Sequence, residues 1–81
     1  MNYDVLLDVR GLSCPMPLVK TKQELTKVQS GTIIKVIATD KGSMKDFKGW
    51  ADIDKSVELL QQSVEKDENG KEIYVHYVKK R

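Results

Sequence analysis

The chain has 81 residues, 40 % apolar and 32 % charged, a mixture that suits one small folded domain spanning residues 1–81 and excludes the low-hydrophobicity signature of disorder. A domain of this size buries only about 60 to 65 per cent of the surface its unfolded chain exposes, which leaves room for one site and no second domain. The 14 Lys and Arg against 12 Asp and Glu give a net charge of +2, with the signs alternating along most of the chain, and this argues against strong phosphate affinity and direct nucleic-acid binding. The only basic run, Lys79-Lys80-Arg81, reads as a solvated tail. At the other end, Asp4 stands where a signal peptide would carry basic residues, and no apolar run approaches the roughly 18 to 20 residues needed to cross a membrane. The expectation is a soluble cytoplasmic protein without a membrane partner, and the single cysteine, which has no partner for an internal disulfide, agrees with that compartment.

Val5-Leu6-Leu7-Asp8-Val9 is a short branched apolar run closed by Gly11, which predicts a buried first strand. From Pro15 to about Val28, the positions Leu18, Thr21, Leu25 and Val28 recur on one helical face and polar residues fill the rest, predicting a first helix stopped by Ser30-Gly31. Thr32 to Thr39 is almost wholly β-branched and apolar, the pattern of a central strand. Asp40-Lys41-Gly42 turns the chain into a second helix with Ser43 as its expected N-cap, Asp46 in its first turn, Met44, Phe47 and Ala51 on one face and Trp50 at the margin. Gly49 in its interior costs about 1 kcal/mol relative to Ala and predicts a helix that is short, kinked or ended near Asp52. Ser56 to Val64 is apolar in a mixed pattern, Ile73 to Val78 is clearly strand-like, and Asn69-Gly70 between them signals a hairpin. The order β-α-β-α-β-β predicts a mixed four-stranded sheet with two helices on one face, an α/β two-layer sandwich (α+β) whose early strands are parallel.

Leu12-Ser13-Cys14-Pro15-Met16-Pro17-Leu18 holds the cysteine and both prolines, at the point where the first strand gives way to the first helix. Proline suits a first helical turn because the N–H it lacks has no intrahelical partner there and its φ is already helical. Pro15 and Pro17 therefore stiffen the chain behind Cys14 and hold its sulfur in one direction. The helix dipole favours negative charge at that end, so the Cys14 thiol is expected below its ordinary value of about 8.5, with Arg10, Lys20 and Lys22 as candidate contributors. The competing reading is a small buried hydrophobe, which is how a free cysteine usually behaves. With no second cysteine to resolve a mixed disulfide, a dithiol cycle within the chain and a thiol peroxidase or reductase are both disfavoured. What remains is a thiol that accepts a group and passes it on.

Asp8-Val9-Arg10-Gly11-Leu12-Ser13-Cys14-Pro15-Met16-Pro17 resembles the signature of the TusA/SirA-like sulfur carrier proteins, small βαβαββ domains with a Cys-Pro-x-Pro motif at the first helix. The resemblance continues through Thr39-Asp40-Lys41-Gly42-Ser43-Met44-Lys45-Asp46 and Trp50-Ala51 and covers nearly the whole chain. It implies that Cys14 takes up sulfane sulfur as a covalent persulfide, with no other cofactor. The implied donor is a cysteine desulfurase, a rhodanese or a related sulfurtransferase, and the implied acceptor is another protein. That is a carrier with sulfurtransferase-type chemistry rather than a stand-alone turnover enzyme. Members acting in tRNA thiolation typically carry Glu between the prolines, where this chain has Met16, and many have Pro where it has Lys48. Met16 implies a more apolar docking surface suited to a different partner.

Around Cys14, the candidate docking or persulfide-environment residues are Arg10, Pro15, Met16, Pro17, Lys20, Lys22 and Asp40. Five of them have a structural alternative: a surface cation for Arg10, Lys20 and Lys22, simple packing for Met16, and a turn or cap for Asp40. His76 lies in the last strand on the face opposite Tyr77 and is expected to be structural, with Phe47 and Trp50 in the core. The alternative to a carrier is a non-catalytic binding or regulatory module in which Cys14 merely packs.

Overall fold

A computed structural model describes residues 2–13 and 15–81. Strand β1 (Val5–Asp8) leads to helix α1 (Met16–Leu25), strand β2 (Ile33–Ala38), helix α2 (Ser43–Ile53), strand β3 (Val57–Lys66) and strand β4 (Glu72–Lys80). The sheet order is β1-β2-β4-β3: β1 and β2 run parallel, and β4 lies antiparallel between β2 and β3. This is the expected mixed four-stranded sheet with two helices, and the core shows both of them on one face. Leu25 of α1 and Phe47 of α2 join Val9, Ile34, Val36, Ala38, Val57 and Val78 of the sheet layer in one buried cluster. No described helix is long and apolar enough to cross a membrane.

Several boundaries move, each for a physical reason. The first strand ends at Asp8 rather than Val9, although Val9 still donates to the Ile37 carbonyl at 2.9 Å. Helix α1 begins at Met16, one residue after the expected Pro15, because Pro15 at φ −97° and ψ 14° lies outside helical geometry. It ends at Leu25, short of Val28. Thr26 turns its hydroxyl back onto the Gln23 carbonyl at 2.7 Å, and the Lys80 ammonium donates to the carbonyls of both Leu25 and Val28 at 2.8 Å. A cation on the last carbonyls satisfies acceptors that a helix end leaves open and opposes the negative end of its dipole. The expected solvated tail is therefore corrected: Lys79 and Lys80 belong to β4, Lys80 closes α1, and Arg81 lies 3.9 Å from Glu58.

The expected N-cap at Ser43 is also corrected. Helix α2 already includes Ser43, which is buried and makes no capping bond. The N-cap position falls on Gly42, and Asp40 closes the turn before it: its carboxylate accepts the Gly42 N–H at 3.1 Å and its carbonyl accepts the Ser43 N–H at 3.0 Å. Gly49 does not interrupt α2, which ends at Ile53, next to the expected boundary at Asp52. The core-facing Phe47 and the partly buried Trp50 and Ala51 pack the residues on either side of it, so tertiary contact outweighs the local glycine cost.

The mixed pattern of the third strand has its cause in an irregularity of register between Leu59 and Gln61 against β4. Val57 and Leu59 meet the helix layer before it; Gln62, which donates to the Met44 carbonyl, does so after it, because one extra residue resets the alternation. The hairpin turn spans 67–71, with Asp67 accepting the amides of Asn69 and Lys71 at 2.9 Å and Gly70 at φ +80°, where a side chain would be strained.

Candidate functional site

Because β1 and β2 are parallel, their carboxyl ends lie at the same end of the sheet, and α1 and α2 both start there. Open α/β sheets bind ligands at that location. Two connections meet at it: residues 9–15, which lead from β1 into α1, and residues 39–42, which lead from β2 into α2. Gly11 donates its N–H to the Thr39 hydroxyl at 2.9 Å, joining the two, and it can hold the required φ of +86° without a side-chain clash. Leu12 turns back onto the Val9 carbonyl at 3.3 Å, and Met16 donates to the Ser13 carbonyl at 2.9 Å. The expected reactive thiol, Cys14, lies outside the described residues.

At the start of α1, Pro15 is exposed, Met16 is 38 % exposed and Pro17 is buried. Pro17, its side chain fully buried, offers no exposed docking surface; its carbonyl accepts the buried Thr21 hydroxyl at 2.8 Å. Both prolines lack an N–H, and that of Met16 is already used by Ser13. The electrostatic preference of this helix end for an anion thus rests on the backbone dipole more than on free donors. No acidic residue in the first turn opposes it.

The candidate cations are placed differently from expectation. Arg10 forms a two-point ion pair with Asp8, Nε to Oδ1 at 2.9 Å and a second nitrogen to Oδ2 at 2.7 Å, while the Arg10 amide also donates to Asp8 at 3.0 Å. These bonds hold the Asp8 carboxyl below its usual value, the Arg10 side-chain hydrogen bond being the largest cause. Arg10 thus offers a compensated charge rather than an open cation. Lys22 lies in the last turn of α1 with its ammonium 5.8 Å from the Trp50 ring centre, at the end of the helix remote from Pro15. Lys20 is exposed at mid-helix. Of the expected cluster, Arg10, Pro15, Met16 and Asp40 share the site end of the sheet, Pro17 is internal, and Lys22 is not at the site.

A buried polar group behind the 39–42 connection has no sequence signature beyond its residue types. His76 is fully buried, its ring stacked on Phe47 with centres 4.2 Å apart and planes 5° from parallel. Gln62 donates through Nε2 to the Met44 carbonyl at 2.9 Å and to His76 Nδ1 at 3.1 Å. With Nδ1 accepting, the ring proton resides on Nε2 and is donated to Ser43 Oγ at 3.0 Å. Burial pushes the histidine down to about 4, so the ring is neutral at physiological pH.

Fold and site define a small α/β sandwich that presents a cysteine-bearing connection at the carboxyl ends of two parallel strands. The family described as sulfurtransferase TusA matches residues 5–80. The chain is 48 % identical over 81 residues to a Halobacterium salinarum protein provisionally named a sulfur carrier protein, covering 98 % of this chain and 94 % of that one. It is 41 % identical over 70 residues to the sulfur carrier protein TusA of Allochromatium vinosum, covering 86 % and 87 %. The crystal structure of a SirA-like protein from Desulfitobacterium hafniense superposes with a TM-score of 0.67 over 96 % of this chain and 100 % of that one, and at 22 % identity this likeness speaks to the fold. The chain belongs to the TusA family of sulfur carriers.

Proposed function

We propose that this protein carries sulfane sulfur as a persulfide on Cys14, taking it from a donor protein and giving it to an acceptor protein. The observation that carries the reading is the family match over residues 5–80, with Cys14-Pro15-Met16-Pro17 standing at the entry to α1. In the loading step the Cys14 thiolate attacks the outer sulfur of a donor persulfide. A new S–S bond forms, the donor's S–S bond breaks, and the donor leaves as a thiol that keeps the proton, so no external oxidant or reductant is used. Discharge is the same exchange with the acceptor thiolate as nucleophile. The dipole of α1, unopposed by acid in its first turn, favours both the thiolate and the persulfide anion.

Cysteine desulfurases, rhodaneses and related sulfurtransferases are the proposed donors, and the cytoplasm is the proposed compartment. The exposed Met16 gives the docking surface an apolar contact next to the reactive residue, which suits a partner outside the usual tRNA-thiolation relay. Mass spectrometry after incubation with polysulfide, or with a desulfurase and cysteine, tests the reading. The expected result is a gain of one sulfur atom that a reductant removes and that the Cys14→Ala variant does not show. An unchanged wild-type mass under both conditions would exclude it.

A further inference from the structure

The buried His76 group is linked to the 9–15 connection by hydrogen bonds to Ser43 and Asp40, the Thr39–Asp40 peptide bond, and the hydrogen bond from Gly11 to Thr39. His76 donates to Ser43 Oγ at 3.0 Å, and Gln62 holds both His76 Nδ1 and the Met44 carbonyl, so two strands grip the first two residues of α2. Ser43 in turn donates its amide to the Asp40 carbonyl at 3.0 Å, and the Asp40 carboxylate closes the turn onto Gly42 at 3.1 Å. Thr39, the residue before Asp40, accepts the Gly11 amide at 2.9 Å, three positions ahead of Cys14 in the chain. A sandwich of this kind could hold the start of α2 with apolar packing alone. Placing a histidine, a serine and a glutamine there instead, every one of them hydrogen-bonded, gives the helix start a single direction and position, because hydrogen bonds are directional where apolar contacts are not.

Resting on the carrier reading above, we propose that His76, with Gln62 and Ser43, is a positioning residue for sulfur transfer. It fixes the 39–42 connection, and through Thr39 and Gly11 it fixes the segment that leads into Cys14. His76 touches no sulfur; it acts through the backbone it orients. The competing explanation is that pairing within β2 alone fixes Thr39, in which case His76 has no influence on the cysteine. The two differ in whether substitutions at His76 and Thr39 affect the cysteine through a shared route.

The test is the pH–rate profile of Cys14 alkylation by iodoacetamide in the full chain, each variant's folding being checked by its urea transition. His76→Phe keeps an aromatic ring against Phe47 but removes both polar contacts; Thr39→Val removes the acceptor of the Gly11 amide at nearly constant shape. Each is expected to lower the alkylation rate below the midpoint by about threefold or more, equivalent to about half a pKa unit. The double variant is expected to match the single ones rather than multiply them, the signature of residues acting in one series. Gln62→Leu, at a half-buried position, supplies an independent break in the same network and is expected to reproduce the effect. A folded His76→Phe or Gln62→Leu protein with the wild-type profile, or independent effects of His76→Phe and Thr39→Val, overturns the proposal. Alkylation needs no sulfur donor, so its outcome is separate from that of persulfide loading.

Discussion

Phe47→Ala is expected to destabilise the protein by about 3–5 kcal/mol, measured by urea denaturation, and to leave much of the population unfolded near physiological temperature. Phe47 is completely buried, stacks on His76 at 4.2 Å and meets the Trp50 ring edge-on at 6.0 Å. Its removal loses the transfer free energy of the ring and opens a cavity, a combination that costs about 3–5 kcal/mol for buried Phe. A small domain has a total stability on the order of 5–10 kcal/mol, so this one side chain accounts for a large share. The loss is compounded because the imidazole then faces a void on one side. Phe47→Leu, which refills part of the space, is expected to recover part of the difference.

The second large effect is a pH dependence. His76 falls from 6.5 to about 4 on folding, with burial as the cause. In the unfolded chain it takes up a proton below about 6.5, whereas the folded ring resists until about 4. The unfolded state therefore binds more protons in this window. The stability contribution of the neutral ring is fully present above pH 6.5 and is lost as the pH falls to 4. The difference corresponds to about 3 kcal/mol at its limit, approached at about 1.4 kcal/mol per pH unit. Urea transitions between pH 7 and pH 4 should show this slope in the wild type, while His76→Phe should be flatter in the same range, though less stable at pH 7. The half-exposed Asp8 with its ion pair to Arg10 loses its contribution lower on the pH scale, as its depressed carboxyl protonates, and as a surface pair it contributes little.

Much of the fold could be read along the chain because it is written in local patterns. The β-branched run of β2, the helical spacing of Leu18, Thr21 and Leu25, and the Asn69-Gly70 turn each name an element without reference to any other. What could not be read lies between elements. The insertion of β4 beside β2, rather than of β3, depends on long-range pairing that no local pattern encodes. Lys80 closes a helix that ended 55 residues earlier in the chain. Ser43 carries every local mark of an N-cap, and a histidine 33 residues away takes its hydroxyl instead. The register irregularity of β3 blurred its alternation in the same way, since its cause is how the strand fits β4.

The site divides along the same line. The position of Cys14 ahead of two prolines, and a turn at Gly11 after the first strand, follow from residue type and order alone. The charges around it do not, because spacing along the chain cannot show that Arg10 turns back onto Asp8 or that Lys22 reaches over Trp50. Pro17 reads as part of the presented motif, yet its side chain is fully buried. The His76, Gln62 and Ser43 network stayed hidden for a related reason: a histidine in a strand marks burial, and only the folded chain shows which helix it holds.

The most direct test of sulfur carriage is cyanolysis of the loaded protein. After exposure to a persulfide donor and removal of excess sulfur, cyanide attacks the outer sulfur of a persulfide and releases it as thiocyanate, which can be quantified by its colour with ferric iron. About one thiocyanate per chain is expected from the wild type and none from Cys14→Ala, because the sequence has one cysteine. Equal release from the two proteins, or none from a wild type that has been exposed to donor, would contradict sulfur carriage on Cys14.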